Sequence, residues 1–122
     1  MPDIKRLKTL IDRLRKLSDE DQVPWSETSD ERAFQAALKG YTVTVAQDYA
    51  GQDWGQAVYV YAIRIHDTLG KLLETATERD FQDQRSFVGN KTAAEALQDL
   101  YDLARRKALK VDQALDDLLR SL

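Results

Sequence analysis

The stretch Ala57-Val-Tyr-Val-Tyr-Ala-Ile-Arg-Ile65 decides the fold. It is the longest apolar run in the chain, rich in β-branched and aromatic residues, with Gly55 before it and the turn-like Asp67-Thr-Leu-Gly70 after it. Those features describe a central β-strand. Side chains alternate along a strand, so Tyr59, Tyr61, Ile63 and Ile65 take one face and Val58, Val60 and Ala62 the other. Apolar residues on both faces suit a strand paired on both edges and covered on at least one side. A buried helical segment is the competing reading of so short a run.

Upstream, Tyr41, Val43 and Val45 alternate with Thr42 and Thr44, a strand with one wet face that runs to about Gln47. Residues 29–39 read two ways. As a helix, Thr28-Ser-Asp-Glu31 is a capping box, Phe34, Ala37, Leu38 and Tyr41 share a face, and Gly40 is the C-terminal cap. As a strand, Phe34, Ala36 and Leu38 alternate, and Lys39-Gly40 is a two-residue hairpin loop leading into Tyr41. The strand is preferred, because the Tyr41 strand needs a partner. Residues 48–56, with two glycines and no periodicity, read as a polar loop. After His66 and the turn at 67–70, residues 71–77 make the last strand. Each connection is too short for a parallel crossover, so the order is an antiparallel meander.

The flanks read as helices. Ile4, Leu7, Leu10, Ile11, Leu14 and Leu17 recur at spacings of three and four, which lines one stripe of a helix over residues 3–17 with Asp3 as its N-cap. Ser18-Asp-Glu-Asp-Gln22 is a polar stop, and Pro24 pushes Val23 out of the helical region. Residues 78–91 are charged and irregular, with Phe81, Phe87 and Val88 as pins to the core. Thr92-Ala-Ala-Glu95 is a capping box that opens a helix ending near Ala108, whose apolar face is Ala93, Ala96, Leu97, Leu100, Tyr101 and Ala104. Asp112 then caps a final helix with Val111, Leu115, Leu118, Leu119 and Leu122 in a stripe.

The expected architecture is one α+β domain over residues 1–122: an N-terminal amphipathic helix, a three- to four-stranded antiparallel meander and two C-terminal helices. Trp25 and Thr28 after the first helix, a phenylalanine-led segment running into a tyrosine-valine strand, and the closing Leu-Tyr-x-x-Ala-Arg-Arg-x-Ala-Leu over residues 100–109 carry a resemblance. The chain resembles small uncharacterised bacterial proteins of helix, sheet, two-helix layout. The resemblance implies this fold and brings no functional residue with it.

At 122 residues, 43% hydrophobic and 32% charged, the chain can bury one core without staples. With no cysteine there is no disulfide, thiolate nucleophile or zinc–thiolate site. The opening Met-Pro-Asp-Ile-Lys-Arg lacks an apolar signal-peptide core, so a cytoplasmic location is expected, and Asn90-Lys91-Thr92 is read as a chance sequon. The net charge of −3 is uneven. Six basic residues against Asp3 and Asp12 give residues 1–17 a local +4, leaving −7 for the remainder. Such a split marks either a solvated helix face or a nucleic-acid contact.

Little in the chain points to chemistry. His66, the single histidine, stands beside Asp67 and could serve as a general base, but catalysis would need a nucleophile or oxyanion donors converging from elsewhere in the chain, and at a strand end such a residue is read as a hydrogen-bonded side chain. The aspartates fit no EF-hand frame, there is no His-Glu-x-x-His, and the pairs Asp99/Asp102 and Asp112/Asp116 are expected on solvated faces. Gly51 and Gly55 lack the spacing of a phosphate loop. Arg105-Arg-Lys107 with Lys110 suits a helix C-terminus, and a DNA-reading last helix would offer phosphates three aspartates against one arginine. No catalytic, metal or cofactor-binding residue is therefore assigned, and no enzyme activity is expected.

The remaining surface is aromatic. Tyr49 and Trp54 fall in the polar loop that feeds Tyr59 and Tyr61, and such side chains anchor protein interfaces. Tyr49 and Trp54 are the candidate partner-binding residues. The expected function is that of a small cytoplasmic interaction or accessory protein, bound to a protein partner or to itself, with no membrane contact. The alternative is a weak nucleic-acid binder that uses its basic N-terminal helix.

Overall fold

Asp3 starts the first helix as its spacing requires, accepting the Arg6 N–H at 3.2 Å. In the computed structural model, which describes residues 2–81 and 92–122, helix α1 spans Ile4–Asp19 and buries Leu7, Ile11 and Leu14. Five strands follow: β1 (Ser26–Glu27), β2 (Ala33–Leu38), β3 (Tyr41–Asp53), β4 (Gln56–His66) and β5 (Leu72–Thr77). They form one antiparallel sheet in the order β1-β2-β3-β4-β5. A 3-10 turn over Glu78–Phe81 closes the sheet, and helices α2 (Ala93–Ala108) and α3 (Val111–Ser121) complete the described chain.

The central stretch is the strand its pattern predicts, paired with β3 on one edge and β5 on the other. Across the sheet, Phe34, Val45, Ile63 and Ala76 stand in one register row and all belong to the core. The next row, Ala33, Ala46, Ala62 and Thr77, lies on the opposite face. Helix α2 packs on the inner face with its predicted stripe, Ala93, Ala96, Leu97, Leu100, Tyr101 and Ala104, buried throughout. Thr92 caps it by accepting the Glu95 N–H at 3.2 Å. Helix α1 packs beside α2, and its first turn reaches β5, where the Asp3 N–H donates to Glu74 Oε2 at 3.2 Å.

Residues 33–38 are strand. The helix that Thr28-Ser-Asp-Glu31 could have capped does not form, because Thr28 instead joins a turn: its hydroxyl donates to the carbonyls of Asp30 at 2.8 Å and Ala33 at 2.9 Å. Lys39 and Gly40, at φ 53° and 84°, make the two-residue turn. Residue pairing adds β1 to the three or four strands expected, a two-residue edge strand just after Trp25.

Three further expectations need correction. Residues 48–56 are not a loop: β3 and β4 continue as a ladder to Asp53 and Gln56, leaving only Trp54 and Gly55 in the turn. A register shift between Tyr49 and Gln52, with Gly51 at φ 110°, interrupts alternation there, so period-two reasoning fails although pairing persists. The polar stop at residues 18–22 begins inside α1, and Ser18 is fully buried. Asp112 is not the cap of α3, because Lys110 at φ 54° makes the sharp link from α2 and occupies that place without a side-chain bond. Asp112 falls in the first turn and pairs with Arg106. Phe81 is fully buried as predicted, whereas Phe87 and Val88, like Asn90 and Lys91 of the sequon, lie outside the described residues.

Candidate functional site

The long β3–β4 hairpin carries the aromatic residues singled out in the sequence. At its root Tyr61 packs on Tyr101 with ring centroids 5.3 Å apart, and Tyr101 meets Phe34 edge-on at 5.7 Å. One step outward, the Gln47 amide donates to the Tyr61 hydroxyl at 3.1 Å while its carbonyl accepts from Arg32 Nη1 at 3.2 Å. The Arg32 guanidinium sits 4.1 Å over the Tyr59 ring. Tyr59 meets Tyr49 edge-on at 6.0 Å across the ladder. Two aromatic groups, Phe34-Tyr101-Tyr61 and Tyr59-Tyr49, are thus joined through Gln47 and Arg32, from the core out to Tyr49, which is 60% exposed. Burial and the neighbouring Tyr61 push the Tyr101 phenol above its ordinary range, so it stays protonated at neutral pH.

Beyond this series the ladder resumes at Gln52–Ala57 and Asp53–Gln56, and Trp54 stands at the tip, 96% exposed with φ 53°. Tyr49 and Trp54 therefore belong to one two-stranded arm, Tyr49 within β3 and Trp54 in the two-residue turn at its tip. Beside the arm's root, residues 27–32, Gln47, Tyr101, Arg105 and Leu109 line a shallow hollow of about 480 Å³. Its rim mixes the carboxylates of Glu27, Asp30 and Glu31 with Arg32 and Arg105.

The other candidates do not converge on a reaction centre. His66 is half-buried at the end of β4, in register with Thr42 and Leu72. Asp67 turns away to its own turn, where Oδ1 accepts the N–H groups of Leu69 and Lys71, each at 2.9 Å. Among the described residues no three His, Cys, Asp or Glu side chains are grouped as metal ligands. No helix among them is long and apolar enough to cross a membrane.

Asp99 is not merely solvated. Arg15 reaches from α1 to Asp12 and Asp99, at 3.2 Å each, with Asp12 buried and Arg15 nearly so. These residues line a groove of about 520 Å³ between α1 and α2. Partial burial, and then the Asp99 carboxylate, raise the carboxyl of Asp102 at its rim above the ordinary aspartate range. The groove's inner charges hold each other, and the result is an ion-pair lock between helices. Nothing in the sequence pairs residues 84 positions apart, which is why Arg15 and Asp99 went unmatched.

Comparison of the chain with protein-family models, with curated proteins and with solved structures found no match.

Proposed function

We propose that the protein is a small non-catalytic interaction module that presents the β3–β4 arm, with Tyr49 and Trp54, to a protein partner in the cytoplasm. The observation behind this reading is Trp54 itself. A two-residue turn with positive φ at both positions favours Asn or Asp followed by Gly, and a bulky aromatic there works against folding. Trp54 occupies that position with 96% of its surface in solvent, so packing does not offset the cost. Rigid aromatic side chains that gain little in the free protein gain most when a partner desolvates them. A capture experiment with the whole chain as bait tests it: a complex that survives high-salt washing and is lost with Trp54→Ala supports the arm as the contact.

A second reading rests on α1, where Lys5, Arg13 and Lys16 are exposed along one helix while Arg6 and Arg15 are engaged by Asp3, Asp12 and Asp99. Three exposed cations fit weak, sequence-independent phosphate contact. Binding of a labelled random-sequence duplex would then fall with salt at a log–log slope of roughly −0.9 per phosphate neutralised. Affinity unaffected by Lys5→Gln with Arg13→Gln would sink that reading.

A further inference from the structure

Tyr101 is 5% exposed, and its hydroxyl is the only polar atom of the side chain. The hydroxyl makes no hydrogen bond to any described residue, whereas every sealed polar side-chain atom among them has a partner. It therefore reaches the surface, and it does so in the hollow beside the root of the arm, which Tyr101 lines together with Arg32 and Arg105. Burial keeps the proton on this phenol, so the group facing the hollow is a donor without an acceptor.

The charges around it are arranged differently from those in the groove between α1 and α2. There Arg15 holds Asp12 and Asp99. Here, among the described residues, neither Arg32 nor Arg105 pairs with a carboxylate, although Glu27, Asp30 and Glu31 share the hollow with them. Arg32 is nonetheless held in place. Its backbone N–H donates to Asp30 Oδ1 at 2.9 Å, Nη1 donates to Gln47 Oε1 at 3.2 Å, and the guanidinium lies on the Tyr59 ring, which leaves Nε and Nη2 without an acceptor among the described residues. Arg105 stands one turn beyond Tyr101 on the same face of α2 and is exposed. Asp30 is engaged by its own turn, so the exposed Glu27 and Glu31 carry the uncommitted negative charge.

We propose that this hollow binds a small zwitterion, an amino acid or a short peptide, whose carboxylate is taken by Arg32, Arg105 and the Tyr101 hydroxyl and whose ammonium group lies against Glu27 and Glu31. A guanidinium fork matches a carboxylate in shape and charge. A bare anion would meet the two glutamates and a bare cation the two arginines, whereas a zwitterion answers both. The hollow, about 480 Å³, has room for a ligand of this size, and Phe34 and Leu109 offer it apolar contact.

Titration of the isotope-labelled full chain, followed by its amide NMR shifts, tests this. The probes are L-leucine and glycyl-L-leucine; the controls are isocaproate, which lacks the ammonium group, and L-leucinamide, which lacks the carboxylate. The expected result is saturable shifts at residues 27–32 and 101–109 with at least one zwitterion, and binding of both controls weaker by at least about tenfold, the scale of one hydrogen bond to a charged group. The tighter of the two zwitterions then tells a free amino acid from a peptide. Tyr101→Phe, which removes only the hydroxyl, and Arg105→Gln, whose exposed parent side chain holds nothing else among the described residues, should each weaken binding by about tenfold. No saturable shift with either zwitterion, equal binding of either control, or binding indifferent to both variants would each overturn the proposal.

Discussion

The indole N–H of Trp25 donates to the Ser18 hydroxyl at 2.8 Å, with both residues buried and seven positions apart. This bond ties the last turn of α1 to the segment entering β1, and it separates the two tryptophans by role: Trp25 closes the core, whereas Trp54 meets solvent. Ser18→Ala strands the indole donor in the interior and should cost about 1–3 kcal/mol. Trp25→Phe loses the same bond from the other side. In a double-mutant cycle by chemical denaturation the combined variant should lose less than the sum of the two; strict additivity would show that the bond contributes nothing.

Leu100 is fully buried in the α2 face that packs on the sheet. Leu100→Ala should destabilise the fold by about 2–5 kcal/mol in a urea titration. A change under about half a kcal/mol, the scale of surface substitutions, would mean that α2 is rotated from the described orientation.

That face was legible from sequence because Ala93, Ala96, Leu97, Leu100, Tyr101 and Ala104 obey helical spacing, and the β4 core residues were legible because Tyr61, Ile63 and Ile65 obey strand spacing. Where a local irregularity breaks the period, the reading failed. The register shift between Tyr49 and Gln52 disguised the outer ladder as a loop, and Trp54-Gly55 lacks the Asn-Gly or Asp-Gly signature that marks a two-residue turn. Long-range partners such as Ser18 with Trp25 or Arg15 with Asp99 have no periodic signature at all. Tyr49 and Trp54 were visible as residue types, but their placement on a paired two-stranded arm was not. The leucine stripe of α3 was visible too; its exposure is set by how α3 leaves α2 at Lys110, which composition does not encode.

Arg15 stands between Asp12 and Asp99 with 17% of its side chain exposed. Arg15→Met removes the ion pairs that Arg15 makes with Asp12 and Asp99 and should destabilise the protein by about 1.5–3 kcal/mol. Asp99→Asn, at the more open end, should cost less. Equal costs for the two variants in thermal or urea unfolding would contradict a lock whose inner half is the sheltered one.

Asp102 gives a pH-dependent test. Its carboxyl is raised above the ordinary value of 3.8 by burial and by Asp99, so the folded state holds the proton more tightly than the unfolded chain. Stability from this group is present below the unfolded value and lost as pH rises through the folded one. Asp102→Asn should therefore raise the thermal midpoint at neutral pH, and the gain should shrink as pH falls below the aspartate range. A variant less stable than the parent at neutral pH would show that Arg105, which pulls the other way, dominates.

Capture by the whole chain, compared with its Trp54→Ala variant under the same high-salt wash, bears most directly on a protein-binding arm. The predicted result is a discrete protein retained by the parent and bound at least about tenfold more weakly by the variant, which corresponds to 1.4 kcal/mol, with identical thermal midpoints because Trp54 packs on nothing. Equal retention by both baits, or retention that collapses with salt in proportion to bound nucleic acid, would contradict it.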